Sequence, residues 1–498
     1  MREYLRALYR RLTAGGSTKQ MAIQSGIWAA GINVADRALQ LLNVIILARI
    51  LSPEAFGLLG VALLVLGALQ QFSNLGFDSA LVQHESDNID EYLNTLWLMK
   101  IARGAVIATI TIASGPLLAQ AFGEPEAAGI IQVIGFSPLL LGIQNPAIVY
   151  FQKDLHFHKE FIYKVGGRTI DILVAVATAL VYQSVWALLA GLLAGRVVMV
   201  ILSYAIHDYR PGIEFNREYA GEMFEFGKWM FASGILVFLY GQGDDVFIGW
   251  FFSASALGLY QLAYRFSNAP ATEVTQVISR VAFPAFSKVQ NDTAQLREGY
   301  FRVLHLTTIA GFPMAAGVIA IAPQFVLAVL GEQWEAAIPV MQALAFWGAI
   351  RSFGASTGAL FKAVGRPEIG TKIQALKVAI LVVVIYPAAT EFGLLGVAGA
   401  VVVNAVLVQP LVIYMVIDVT EASLSRLLFL LMCPLTGSVI MGLAVIGLDR
   451  MVITGTGVLQ LGALVIIGVV IYIGVMLGIE NISRYEFSSL VSTFRGTI

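Results

Sequence analysis

The sequence predicts an all-α integral membrane protein with about fourteen transmembrane helices. Hydrophobic residues make up 58% of the chain, charged residues make up 13%, and the mean hydropathy is +0.79, all far from the values of soluble domains. Apolar runs of about twenty residues recur, whereas the strict alternation over about ten residues that is typical of a membrane β-barrel does not. A helical corner near the start also returns in the second half.

Apolar windows bounded by polar residues or by Gly/Pro clusters place the individual helices. The predicted spans are 25–49, 54–76, 93–118, 126–149, 164–182, 185–206, 226–251, 255–285, 300–330, 336–362, 370–390, 393–417, 427–448 and 457–479. The loops predicted on the outer side are very short. They leave little room for the catalytic domain that membrane glycosyltransferases, ligases and polymerases usually carry there.

The repeated corner is I-L-A-R-I-L-S-P-E-A-F-G-L-L-G-V-A at 46–62, which returns as F-I-G-W-F-F-S-A-S-A-L-G-L-Y-Q-L-A at 247–263. Each copy predicts the end of one apolar helix, a very short turn and the start of the next. In the first copy Ser52 is a suitable N-cap, Pro53 suits the first helical position and Glu54 meets the positive end of the helix. The second copy keeps the serine and predicts the same corner.

Two further segments extend the repeat. Residues 186–197 resemble 396–407, each opening the sixth span of its half, and F-D-S-A-L-V-Q at 77–83 resembles F-P-A-F-S-K-V-Q at 283–290, each closing a second span. Six spans is an even number, so the two halves share one orientation. They are therefore predicted to form a parallel repeat about an axis along the membrane normal.

The repeat divides the chain into five predicted segments. These are a basic amphipathic N-terminus (1–22), an N-lobe (23–210), a C-lobe (211–420), an extra helix pair (421–480) and a tail (481–498). The pattern of 1–22 suits either a helix on an anionic membrane surface or a solvated basic tail.

Basic residues set the predicted orientation, because they concentrate in cytoplasmic loops. On one predicted side lie Arg2, Arg6, Arg10, Arg11, Lys19, Lys153, Lys159, Arg210, Arg217, Lys288, Arg297, Arg366, Arg484 and Arg495. The other side is mainly acidic. We therefore expect a multi-pass protein of the cytoplasmic membrane with both termini in the cytoplasm.

Several arginines fall within predicted spans, where each charge at a helix centre costs roughly 2.5–3.5 kcal/mol on insertion scales. They are Arg37, Arg103, Arg196, Arg265 and Arg351. Each either forms an ion pair between helices or lines a shared central cavity and binds an anion. Arg168 is expected to pair with Asp171, which follows it by three residues on the same helix. Arginine suits phosphate, because its planar guanidinium makes two charge-assisted hydrogen bonds and stays protonated.

Uncharged polar residues in the same spans agree with a water-filled cavity. The candidates are Asn33, Gln40, Asn74, Gln242 and Asn268. Acidic residues allow two interpretations, because they either neutralise the arginines or titrate and bind a coupling H⁺ or Na⁺. The acidic candidates are Asp36, Asp78, Asp171, Asp244, Asp245 and Glu273.

Other chemistry finds little support in the sequence. The single cysteine, Cys433, excludes a disulfide within the chain, and His156 and His158 are two residues apart, so on a helix they point to different sides instead of sharing a metal ion. No phosphate-binding glycine loop follows a strand. We expect no enzyme activity, no metal site, no cofactor beyond a coupling ion and no nucleic-acid partner.

Several motifs together resemble the Wzx-type polysaccharide transporters, near the colanic-acid-exporter branch of the multidrug/oligosaccharidyl-lipid/polysaccharide flippase superfamily. They are A-R-I-L-S-P-E-A-F-G at 48–57, A-L-V-Q at 80–83, F-Q-K-D-L-H-F at 151–157, D-D-V-F-I-G at 244–249, L-G-L-Y-Q-L-A-Y-R at 257–265, F-P-A-F-S-K-V-Q at 283–290 and L-G-E-Q-W at 330–334. The final third matches only in hydropathy. The chain departs from the family at two positions. The family often has a basic residue where Trp250 stands, and an asparagine where Asp245 stands.

This resemblance implies two six-helix lobes around a central cavity, alternating access, and export of a polyprenyl-linked oligosaccharide for surface polysaccharide or glycoprotein glycan biosynthesis. It also implies that the last helix pair guides the lipid tail. The expected partners are the lipid-linked glycan, membrane lipids and a glycan polymerase or glycosyltransferases, and we expect a monomer. The alternative is an ion-coupled multidrug exporter on the same fold. Its cavity should be net acidic, whereas arginines lead the set found here.

Overall fold

A computed structural model describes residues 18–73, 90–154, 156–451, 455 and 457–482, and these residues form helices and turns with no strand. The helices of eight or more residues are α1 (Thr18–Ile50), α2 (Pro53–Phe72), α3 (Asp90–Ala121), α4 (Ala127–Ile134), α5 (Phe136–Ile143), α6 (Phe157–Tyr182), α7 (Val185–Ile206), α8 (Arg217–Phe251), α9 (Ala254–Val289), α10 (Thr293–Phe325), α11 (Ala337–Ala363), α12 (Pro367–Thr420), α13 (Leu424–Met451) and α14 (Val458–Ile482). The all-α class is confirmed.

Most predicted spans fall on these helices, with two main differences; residues 74–76 of the span predicted at 54–76 lie outside the described residues. The span predicted at 126–149 is broken into α4, α5 and a 3₁₀ turn, Pro146–Val149. The spans predicted at 370–390 and 393–417 lie in the one long helix α12, which contains a break at Gly393, where φ is 60°. Among the described residues nine helices are long and apolar enough to cross a membrane, so the count of fourteen crossings stays a prediction.

Both copies of the predicted corner are present. Helix α1 ends at Ile50 and α2 starts at Pro53, with the Ser52 hydroxyl accepting the N–H of Ala55 at 3.3 Å. In the second copy, the Ser253 hydroxyl accepts the N–H of Ala256 at 3.3 Å where α9 starts. The serine cap is therefore the local signal that turns the chain at both places.

The first turns of α2 and α9 contact each other through matched glycines. A Cβ built on Gly57 would overlap the carbonyl oxygen of Ala254, and one built on Gly258 would overlap the carbonyl oxygen of Pro53. Because Gly57 matches Gly258 and Pro53 matches Ala254 in the repeat, the contact is reciprocal. Glycine is needed at both positions because the two backbones approach more closely than any side chain allows.

The chain divides into two compact units, Met1–Gly258 and Leu259–Ile498. The first holds α1 to α8 and the start of α9, and the second holds the rest of α9 with α10 to α14. The lobe boundary predicted at 210 rests on the sequence repeat and stays a prediction. The ends of the chain, 1–17 and 483–498, lie outside the described residues.

Candidate functional site

The first unit contains a charged cluster, which we call the Arg168 cluster, on helices α1, α6 and α7. The Arg168 Nε donates to Asp36 Oδ1 at 3.1 Å, and its Nη1 donates to Asp171 Oδ2 at 3.0 Å. The ion pair expected from the spacing of Arg168 and Asp171 is thus confirmed. Asp36 adds a bond from another helix, so Arg168 joins α1 to α6.

Arg196, on α7, belongs to the same cluster. Its half-buried guanidinium interacts electrostatically with Arg168 and Asp171, and its Nη1 contacts the Sδ of Met199 at 3.9 Å. Among the residues that the structure describes, no carboxylate oxygen lies within the 4.0 Å of an ion pair from Arg196. Arg168 thus forms the closest bonds to both acids.

Helix α1 contributes further predicted residues. The Arg37 Nη1 donates to the Gln40 Oε1 at 2.9 Å, and Arg37 directly follows Asp36. Asn33, one turn earlier on α1, is exposed. The structure therefore places four of the predicted polar residues along one stretch of α1.

Arg103 has a contact that the sequence did not predict. Its Nη2 donates to the carbonyl oxygen of Gln70 at 2.8 Å, and its Nε donates to the Ser73 hydroxyl at 3.1 Å. Both acceptors lie at the end of α2, where carbonyl groups lack helical partners and a cation is favourable. Arg103 therefore binds the C-terminus of a neighbouring helix.

The second unit contains an aromatic–arginine cluster, which we define as Tyr264, Trp347 and Arg351. The Arg351 guanidinium lies over the Trp347 ring, 5.2 Å from the centroid, and its Nη1 is 3.5 Å from the Tyr264 hydroxyl. The centroids of the two rings are 5.5 Å apart. Asn268 joins this region, because its Nδ2 donates to the carbonyl oxygen of Tyr264 at 3.2 Å.

Sequence reasoning found Arg351 and Asn268 but missed the two aromatic residues. Trp347 lies one helical turn before Arg351, and this spacing was a readable signal because residues four apart share a helix face. Tyr264 gave no comparable signal, because it comes from another helix.

The remaining candidates differ in their exposure. Arg265 and Gln242 are exposed, whereas Asp244 and Asp245 are buried at 7% and 9% exposure on α8. Glu273 lies in α9. Asn74 and Asp78 lie outside the described residues. No group of three or more metal-ligating side chains occurs within the described ranges.

The fold is that of membrane transporters. The solved structure of the lipid II flippase MurJ in an inward closed conformation aligns with a TM-score of 0.71 at 14% identity, covering 91% of this chain and 99% of that one. An inward-facing multidrug resistance transporter of the MATE family aligns with a TM-score of 0.59 at 16% identity, covering 84% of this chain and 98% of that one. At these identities the likeness shows the fold alone.

Sequence comparison gives the family. The profile described as "Polysaccharide biosynthesis protein" matches residues 46–339, and the chain belongs to this family. One relative is the lipopolysaccharide biosynthesis protein WzxC of Escherichia coli K12, which is 27% identical over 76% of this chain and 78% of its own length. Another is the succinoglycan biosynthesis transport protein ExoT of Rhizobium meliloti, which is 29% identical over 64% of this chain and 64% of its own length. A more distant one is the probable low-salt glycan biosynthesis flippase Agl15 of Haloferax volcanii, at 21% identity over 74% of this chain and 78% of its own length. The resemblance drawn from the motifs is confirmed.

Proposed function

We propose that the protein is a flippase that moves a polyprenyl- or dolichyl-(pyro)phosphate-linked oligosaccharide from the cytoplasmic to the outer leaflet by alternating access. The glycan would serve surface polysaccharide or glycoprotein biosynthesis. The observation that carries the proposal is the pair of arginines, Arg196 in the first unit and Arg351 in the second, that have no carboxylate within 4.0 Å among the described residues. The family membership and the names of WzxC, ExoT and Agl15 support it.

The positions of these arginines argue for an anionic substrate. Arg196 and Arg351 each lie near the middle of a predicted span, where contact with lipid costs roughly 2.5–3.5 kcal/mol. A water-filled path that admits a phosphate or pyrophosphate removes this cost, because the guanidinium forms charge-assisted hydrogen bonds with the phosphate oxygens. Arg37, Arg103 and Arg265 complete the proposed anion-binding set, although Arg103 already binds the end of α2.

Four of the six acidic candidates have described side chains, and these four divide into two groups under this proposal. Asp36 and Asp171 neutralise Arg168, which makes them poorer candidates for ion coupling. Asp244 and Asp245 are adjacent in sequence and buried on α8. We propose them as the site where a coupling H⁺ or Na⁺ binds.

A multidrug exporter is the second candidate, because the MATE transporters share the fold. A cationic drug would need an excess of acid in the binding region, and Arg196 and Arg351 give the opposite charge. We further propose that the protein is no enzyme, is a monomer of the cytoplasmic membrane with both termini inside, and delivers glycan to a polymerase or glycosyltransferase.

Deletion of the gene tests the function. We expect lipid-linked glycan to accumulate on the cytoplasmic leaflet, with restoration by the wild-type chain and impaired restoration by Arg196→Ala and Arg351→Ala at equal membrane abundance. Arg450→Ala is the matched control, because Arg450 is an exposed arginine near the end of α13 and outside the predicted spans. Unchanged surface glycan together with new drug sensitivity would refute the flippase and favour the exporter.

A further inference from the structure

The aromatic–arginine cluster has a geometry that the binding of phosphate alone does not require. Trp347 and Arg351 lie one turn apart on α11, with the guanidinium 5.2 Å from the Trp347 ring centroid. Tyr264 approaches from α9, with its ring 5.5 Å from that of Trp347 and inclined to it by 42°. The two rings and the guanidinium therefore form one surface of mixed aromatic and hydrogen-bonding character.

We expect this surface to contact water and not lipid. Arg351 is exposed and lies at the middle of α11, within the span predicted at 336–362. An arginine facing lipid at that depth is unfavourable by roughly 2.5–3.5 kcal/mol, so the exposed side of the guanidinium is expected to face an aqueous path. The rings of Trp347 and Tyr264, which contact Arg351, are half-buried.

A second polar group lies beside the cluster. Asn268 is 3% exposed, and its Nδ2 donates to the carbonyl oxygen of Tyr264, one turn earlier on α9. Its Oδ1 has no hydrogen-bond partner among the described residues. A buried acceptor without a partner is unfavourable unless water or a ligand supplies a donor.

The chemistry of the surface selects among ligands. The faces of aromatic rings carry negative charge density and attract partly positive C–H edges, which the flat face of a pyranose ring presents. A guanidinium complements hydroxyl or carboxylate groups on the rim of the same sugar. A cationic aromatic drug would also favour the rings, but the charge of Arg351 over Trp347 repels it.

We infer that Tyr264, Trp347 and Arg351 form a sugar-binding subsite that stacks one pyranose ring of the substrate glycan on the aromatic rings and binds its hydroxyl or carboxylate groups through Arg351. This inference rests on the proposed flippase function and extends it from the phosphate to the glycan. Arg351 is expected to contribute most to the affinity for a hexuronic acid, whereas the affinity for a neutral hexose is expected to depend mainly on stacking against Trp347.

Binding to the full-length protein in lipid nanodiscs tests the subsite with three probes. These are a short-chain polyprenyl diphosphate, the same lipid bearing one hexose, and the same lipid bearing one hexuronic acid. We expect the wild-type protein to bind the sugar-bearing probes about tenfold more tightly than the bare lipid. Trp347→Ala should reduce this preference to about twofold or less, because it weakens binding of the sugar-bearing probes more than binding of the bare lipid.

Matched variants separate the subsite from folding effects. Trp347→Phe retains an aromatic face and should keep most of the preference, and Phe346→Ala removes an exposed ring from the adjacent position and should keep all of it. Arg351→Ala should weaken binding of the hexuronic acid probe more than that of the hexose probe. Each variant is first checked for a monodisperse elution profile in detergent.

The outcomes distinguish the two levels of the proposal. Failure of the wild-type protein to bind any polyprenyl diphosphate would contradict the flippase function itself. Binding of the bare lipid with no sugar preference, or a preference that survives Trp347→Ala, would overturn the subsite while leaving the flippase standing. Equal loss of all three probes in Trp347→Ala would also overturn it, because Trp347 would then serve only the fold.

Discussion

Arg168→Gln removes the guanidinium that joins Asp36 on α1 to Asp171 on α6, and its effect on stability follows from the exposure of the three side chains. Asp171 is 15% exposed, Arg168 31% and Asp36 40%. Removing one partner of a buried ion pair costs about 3–5 kcal/mol, whereas an exposed pair contributes about 0.2–1 kcal/mol. For this partly buried arginine we expect the free energy of unfolding to fall by about 2–4 kcal/mol.

Substitutions of the two aspartates should lower the free energy of unfolding by different amounts. Asp171→Asn leaves Arg168 without its more buried partner and should lower the free energy of unfolding by about 1–3 kcal/mol. Asp36→Asn removes the more solvated partner and should cost less than about 1 kcal/mol. The order Arg168→Gln, then Asp171→Asn, then Asp36→Asn therefore tests whether burial decides the energetics of the cluster.

Equilibrium unfolding by SDS in mixed micelles measures these differences, with loss of helical circular dichroism as the signal. Arg450→Gln is the control for loss of an arginine, because Arg450 is exposed near the end of α13, and we expect it to change the free energy by no more than about 0.5 kcal/mol. An effect of Asp36→Asn equal to or greater than that of Asp171→Asn would refute the reasoning.

Two further predictions concern the fold. Gly57→Ala and Gly258→Ala should each lower the free energy of unfolding by about 1–3 kcal/mol, because the added Cβ overlaps a facing carbonyl oxygen. Gly474→Ala is the control and should not destabilise the protein, because the space around Gly474 is open. Equal effects of the three substitutions in the SDS titration would contradict the close contact. The backbone N–H of Gln295 lowers the pKa of the Asp292 carboxyl at the start of α10. A lowered pKa stabilises the folded state at higher pH, so this contribution should be lost as the pH falls below about 4. Asp292→Asn should therefore weaken the pH dependence of the free energy of unfolding in that range. An unchanged pH dependence would argue against the cap.

Hydropathy and capping signals predicted the helices and the two corners because both are local. A run of apolar residues of sufficient length is a property of one segment, and the Ser52 cap bonds to a backbone group three residues away. The Arg168–Asp171 pair was predicted for the same reason, since both residues lie on one helix face. These features need no knowledge of which helices are neighbours.

Contacts between distant helices were beyond reach of one sequence. Asp36 and Arg168 meet only because α1 packs beside α6, and hydropathy does not say which helices pack together. The capping of α2 by Arg103 was missed because the acceptors are a backbone carbonyl and a serine on another helix. The approach of Tyr264 to Trp347 was missed for the same reason.

Translocation of a lipid-linked glycan by the purified protein in liposomes tests the central claim most directly. Liposomes carry the polyprenyl diphosphate-linked sugar in both leaflets, and an added membrane-impermeant enzyme modifies only the sugar on the outside. The account predicts that the wild-type protein makes nearly all of the probe accessible, and that Arg196→Ala and Arg351→Ala slow this process while Arg450→Ala does not. Accessibility that stays at the outer-leaflet half with the wild-type protein, under proton and sodium gradients of either direction, would contradict the account.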